Sequence, residues 1–162
     1  MALTWAESYL GRVRTSVGDA DTILFVGARG VILDEQDRLL LIQRSDNRRW
    51  AIPAGAMELG ESMQDCAIRE VWEETGLRAT SLTPFAFHTS YTYTNEWGHT
   101  YQQILMSFRI HTWEGDLVTA TDESVDAGFF PLDALPGPKS SIIDEVLADL
   151  AEFEATGRMV LK

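Results

Sequence analysis

Glu70, Glu73 and Glu74 stand three and four residues apart on a stretch opened by Arg69 and closed by Gly76, and this spacing is the part of the chain best suited to chemistry. In a helix turning about 100° per residue, the three carboxylates share an arc of about 100°. Like charges so placed repel by about a few tenths of a kcal/mol per pair in water, and by more in a cleft where solvent is scarce. A bound cation removes the conflict. Oxygen ligands suit hard ions, and Mg²⁺ in particular takes a few carboxylates together with waters and substrate phosphates. Such a cluster can polarise a phosphate, lower the pKa of a bound water and offset charge on a leaving oxygen. Phosphoryl chemistry needs mainly this positioning and charge stabilisation, with no covalent nucleophile from the protein. The competing reading is a solvated acidic helix face, which is what most charge runs are. Glu61 upstream of Arg69, and glycines at 55, 60 and 76, argue against it. A solvated face needs no partner arginine and no sharp turns at its ends.

The elements around this cluster are legible from pattern. Ser62 predicts a helix start, with Asp65 reaching back as a short capping-box acid, and the helix then runs to about Thr75 with Gly76 as its stop. Ala67, Ile68, Val71 and Trp72 fall on the arc beside the glutamates, so one stripe packs and the next carries charge. Residues 22–33 read as a strand, Asp34 to Asp37 as a hairpin turn into Leu39–Ile42, and Trp50 to Pro53 as a short strand before the cluster. Residues 82–93 and 100–113 read as β-rich runs joined by Asn95-Glu96-Trp97-Gly98, and Phe129-Phe130 as a strand before Pro131. Ser141 predicts the cap of a last helix through about Glu154. The fold class expected is α/β: one domain over residues 1–162, with an N-terminal helix over 1–16, a core over 20–136, a C-terminal helix over 140–157, and a layered sandwich with a mixed β-sheet.

Gly55, Glu61, Arg69, Glu70, Val71, Glu73, Glu74, Gly76 and Leu77 fill every prescribed position of a signature that reads Gly, five residues, Glu, seven residues, Arg-Glu, an aliphatic, any residue, Glu-Glu, any residue, Gly, an aliphatic. On these residues, and on Trp50-Ala-Ile-Pro-Ala-Gly55 upstream, the chain resembles the Nudix hydrolase family. The resemblance implies an α/β/α sandwich and hydrolysis of a diphosphate bond in a nucleoside diphosphate linked to another moiety, with Mg²⁺ or Mn²⁺ as cofactor. It implies Glu73 and Glu74 as metal ligands and Glu70 as a third ligand or the general base. Gly55, Glu61, Arg69 and Gly76 then support the site, the Glu61–Arg69 pair tying loop to helix. A further acid from a loop outside the signature is expected at Glu123, with Asp122 and Glu114 as runners-up. A tyrosine about sixteen residues past the signature, here Tyr93, is loosely associated in the family with dinucleoside polyphosphates, and a proline there with ADP-ribose. A Nudix-like fold serves instead as a nucleotide-binding or regulatory module when its acids are lost; here all of them are present.

Arg44, Arg48 and Arg49 are candidates to meet phosphates, and Tyr93 and Trp97 to stack on a base, with Trp50 and Tyr91 as further rings. The formal charge of −12, from 25 acids and 13 basic residues, disfavours long nucleic acid as a partner. A small nucleotide remains compatible, because metal ions and a few arginines reverse the field locally. One cysteine, Cys66, excludes an intrachain disulfide and a cysteine zinc cluster. With no apolar run long enough to span a bilayer and no leader-like N-terminus, a cytoplasmic protein without membrane association is expected. The N-terminal helix is expected to serve packing or subunit contact, which leaves a homodimer open.

Overall fold

A computed structural model of the chain describes residues 4–162. In chain order the elements are α1 (Tyr9–Val17), β1 (Ile23–Ile32), β2 (Arg38–Arg44), β3 (Trp50–Ala51), β4 (Ala54–Ala56), α2 (Met63–Thr75), β5 (Arg78–Thr94), β6 (Thr100–Glu114), β7 (Ser124–Pro131), α3 (Ile142–Thr156) and β8 (Val160–Leu161). A five-stranded sheet runs β4-β1-β6-β5-β8 and a three-stranded sheet runs β3-β2-β7. The larger sheet is mixed: β1 is parallel to β6 and β8 to β5, while β4 pairs antiparallel with β1 and β5 with β6.

Alternation along β1 places α2 and α3 on opposite faces. Val31 packs with Leu39, Leu41, Phe85, Ile143 and Val146, the core under α3. Its neighbour Ile32 packs with Leu40, Val71 and Ile110, and Ala28 with Cys66 and Ala67, the core under α2. Full burial of such aliphatic side chains is worth about 1.5–3 kcal/mol each, so both faces are firmly held. The α/β/α layering and mixed sheet agree with expectation.

Several local expectations need correction. The Asp34–Asp37 turn forms, with Asp34 Oδ1 accepting from the Gln36 and Arg38 N–H groups at 2.9 Å each, but beyond the Leu33–Leu39 bridge the strands part into different sheets. Leu39 to Ile42 are buried on both faces, a burial that a two-stranded hairpin cannot supply. Of the expected strand at Trp50–Pro53 only Trp50–Ala51 forms, as β3, and a separate strand, β4, follows at Ala54–Ala56. Helix α1 begins only at Tyr9, with Ser8 Oγ capping the Gly11 N–H at 3.0 Å; residues 1–3 of the expected helix lie outside the described residues. Ser141 makes no side-chain cap, because its backbone is already helical. Trp72, expected on the packed stripe, is 48% exposed. The short β8, too brief for any periodicity to reveal, joins the edge of β5.

Candidate active site

Ser62 and Asp65 close a reciprocal capping box at the start of α2, and Gly76 ends the helix in the left-handed region at φ 76°. These caps set where the helix begins and ends, while the buried Cys66, Ala67 and Val71 fix its rotation. Glu70 and Glu74 are buried, facing β4 rather than solvent. The Ala54 N–H donates to Glu74 Oε2 at 3.0 Å. A Cβ at Gly55 would lie 2.1 Å from Glu70 Cδ, so only glycine lets the strand pass under this carboxylate.

Arg69 ties the loop to the helix. Its Nε donates to Glu61 Oε1 at 2.7 Å and its Nη2 to Glu61 Oε2 at 3.0 Å and to the Ala56 carbonyl at 2.8 Å. Its Nη1 donates to Glu70 Oε1 at 2.6 Å and Glu73 Oε2 at 2.9 Å. Burial works against the Glu61 charge, yet the Arg69 hydrogen bond and the Glu58 N–H hold its carboxyl below the usual range.

The third carboxylate arrives from the loop before β7. Oxygens of Glu70, Glu74 and Glu123 all lie within 4.8 Å of one another. The loop is anchored by Ser124 Oγ, which donates to the Glu74 carbonyl at 3.1 Å, and by the Ser45 N–H, which donates to the Glu123 carbonyl at 2.9 Å. Thr121 Oγ1 accepts from the Glu123 and Ser124 N–H groups at 3.2 and 3.1 Å. Burial pushes the Glu70 carboxyl up to about 7, with Glu123 and Glu73 adding to the rise. Burial and then Glu70 push Glu74 well above its ordinary value. Glu123 is raised as well, by partial burial and by Glu73. An all-oxygen donor set, preassembled and short of counter-charge, fits a hard divalent cation.

Glu70 and Glu123, but not the more deeply buried Glu74, line a cleft of about 740 Å³ together with Arg44, Arg49, Glu73, Tyr91 and Tyr93. Arg44 is held in a two-point pair by Asp46, with Nε and Nη2 at 2.9 and 2.6 Å from its oxygens. Arg48 and Trp97 are not among the lining residues; Trp97 sits at the tip of the β5–β6 hairpin, 66% exposed. Trp50 is core, edge-on to Phe130 at 4.8 Å between centroids. Asp122 and Glu114 are exposed and stand outside the carboxylate cluster. Cys66 is buried beneath the site, its thiol pushed up to about 12 by burial.

Sequence reasoning missed Ser124 and Thr121, whose only signal is a pair of hydroxyl residues three apart in a loop. It also missed Arg29, which lines the cleft and stands as a lone charge in the apolar run of β1. That signal was readable.

A layered α/β fold that seats a glutamate-rich helix beneath a cleft is matched by the NUDIX domain family model over residues 24–150, and the chain belongs to that family. It is 31% identical over 138 residues to the NAD-capped RNA hydrolase NudC of Vibrio cholerae, covering 77% of this chain and 46% of that protein. Among solved structures, an ADP-ribose pyrophosphatase of Streptococcus suis is 26% identical, covering 85% of this chain and 96% of the other at a TM-score of 0.61. The MutT NUDIX hydrolase of Burkholderia pseudomallei is 23% identical with a TM-score of 0.67, covers 80% of this chain and 99% of the other, and shows the fold. The chain spans less than half the length of the curated relatives it matches. No helix among the described residues is long and apolar enough to cross a membrane.

Proposed function

We propose that the chain hydrolyses a diphosphate bond in a nucleoside diphosphate linked to another moiety, whether a second nucleoside, a sugar or further phosphate. The observation that carries this reading is the convergence of Glu70, Glu74 and Glu123, of which Glu70 and Glu123 line a cleft of nucleotide size. These three would hold Mg²⁺ or Mn²⁺, with Glu73 recruited from its shared bond to Arg69. When bound there, the ion supplies charge against the phosphate oxygens and lowers the pKa of a water. Glu70 would serve either as a third ligand of that ion or as the base that takes the proton of the attacking water. Arg69 and Gly55 fix where that carboxylate points. Arg44 and Arg49 offer donors to the diphosphate, and Tyr93 a ring beside it. No serine or cysteine nucleophile is required, and Cys66 remains a buried thiol.

The test is incubation with dinucleoside polyphosphates, ADP-ribose, nucleotide sugars and nucleoside triphosphates in Mg²⁺ or Mn²⁺, with products resolved by phosphorus NMR. Metal-dependent release of a nucleoside monophosphate from at least one class is expected. Binding without turnover across all of them would contradict the reading.

A further inference from the structure

Arg29 is 5% exposed, lines the cleft, and forms no ion pair with any carboxylate among the described residues. Among the described residues its Nη1 has no hydrogen-bond partner, and neither does the buried Oγ of Ser107, its register partner on β6. A buried guanidinium left without acceptors is costly unless a ligand supplies them. Arg29 shares its sheet face with Val31, the face turned away from α2, so it meets a part of the substrate other than the diphosphate at the carboxylates.

Two features narrow the ligand. First, Glu145 and Asp149 act on Arg29 through space, and Asp149 is itself buried, bonded to His88 Nε2 at 2.7 Å and Lys162 Nζ at 2.6 Å. An anion placed on Arg29 would face these carboxylates; a neutral group with acceptors would not. Second, Phe25, Ile52, Tyr91 and Leu105 line the same cleft, flat and apolar walls that suit a base and do nothing for a second phosphate. Burial lowers the guanidinium to about 10, which leaves it charged at neutral pH.

We propose that Arg29 is a specificity-determining residue that reads the nucleobase, taking the paired acceptors of a carbonyl-bearing base and so favouring guanine over adenine. An arginine only donates, and its fork matches the adjacent O6 and N7 of guanine. The same edge of adenine presents an amine, which sets donor against donor. The inference rests on the proposed nucleotide hydrolysis for its choice of ligand, but not on turnover for its test.

Calorimetric titration with GMP, 7-deaza-GMP and AMP decides it, because monophosphates carry no diphosphate bond and binding is read without hydrolysis. The wild-type protein should bind GMP on the order of tenfold more tightly than either AMP or 7-deaza-GMP, which lacks the N7 acceptor. Arg29→Met should weaken GMP binding about ten- to a hundredfold and erase the preference. Arg29→Lys, which keeps the charge without the fork, should also lose it. No measurable GMP binding, equal affinity for the three nucleotides in the wild type, or an unchanged preference in a folded Arg29→Met protein would overturn the assignment. The 7-deaza comparison needs no variant, so it decides even if Arg29→Met does not fold. Absence of hydrolysis across the substrate panel would instead count against the proposed function and leave the binding result standing.

Discussion

A methyl group at position 55 would sit inside the Glu70 carboxylate, 2.1 Å from its Cδ, and this one contact gives a sharp residue-scale test. Gly55→Ala is expected to keep the fold, since β4 is short and half-buried, while pushing Glu70 aside by about 1 Å; misplacement of that size costs roughly a hundredfold in rate. Circular dichroism and kcat measured together check it, and full activity would mean that Glu70 need not sit where it does. The glycine, Glu61, Arg69 and the glutamates were all legible in the sequence because their types and spacing are dictated by local contacts along one helix and its loop. Glu123 was legible only as an acid in a suitable loop, since its approach to Glu70 depends on a chain reversal that no spacing encodes. Trp97 illustrates the opposite failure: an aromatic in a hairpin looks available for stacking, but the hairpin carries it outward to 66% exposure.

At the scale of elements, the site depends on two ties to α2, one at its loop and one at its end. Arg69→Ala removes bonds to Glu61, Glu70, Glu73 and the Ala56 carbonyl and leaves carboxylates without a counter-charge, at a cost of roughly 2–4 kcal/mol. Denaturant unfolding should show this loss together with a fall in kcat, and unchanged stability would mean that the loop is held otherwise. Ser124→Ala cuts the bond from the Glu123 loop to the Glu74 carbonyl, a change of about 1 kcal/mol in stability. Its larger effect should be weaker divalent-ion affinity, because Glu123 is no longer held beside Glu74. Helix α2 could be read from its capping box and glycine stop and the two long strands from alternation, whereas the cap expected of Ser141 on α3 does not form. The parting of β1 and β2 could not, because a turn sequence specifies the reversal but not which sheet each strand joins.

For the whole molecule, the acidic cluster couples stability to pH in a direction opposite to that of ordinary salt-bridged acids. The Glu70 carboxyl rises from an ordinary 4.5 to about 7 on folding, so between these values the folded state holds more protons than the unfolded one. Stability from this group is therefore full below about pH 4.5 and is lost as pH rises through about 7, a change on the order of 3 kcal/mol. Glu61, lowered on folding, works the other way and loses its contribution as pH falls below its ordinary range. The metal-free protein should thus melt at a lower temperature at about pH 8 than at about pH 5.5, and Mg²⁺ or Mn²⁺ should restore the difference by binding only the folded state. A melting temperature that rises steadily across this window without metal would show that Glu70 is not buried against like charge. The most direct test of the account is the rate of diphosphate hydrolysis as a function of Mn²⁺ concentration, for the wild type and for Glu74→Gln and Glu123→Gln. Turnover should be absent without metal and saturate with it in the wild type, and each variant should need more metal and lose about a hundredfold or more in rate. Metal-independent turnover, or variants with the wild-type metal dependence, would contradict the assignment of hydrolysis to this cluster.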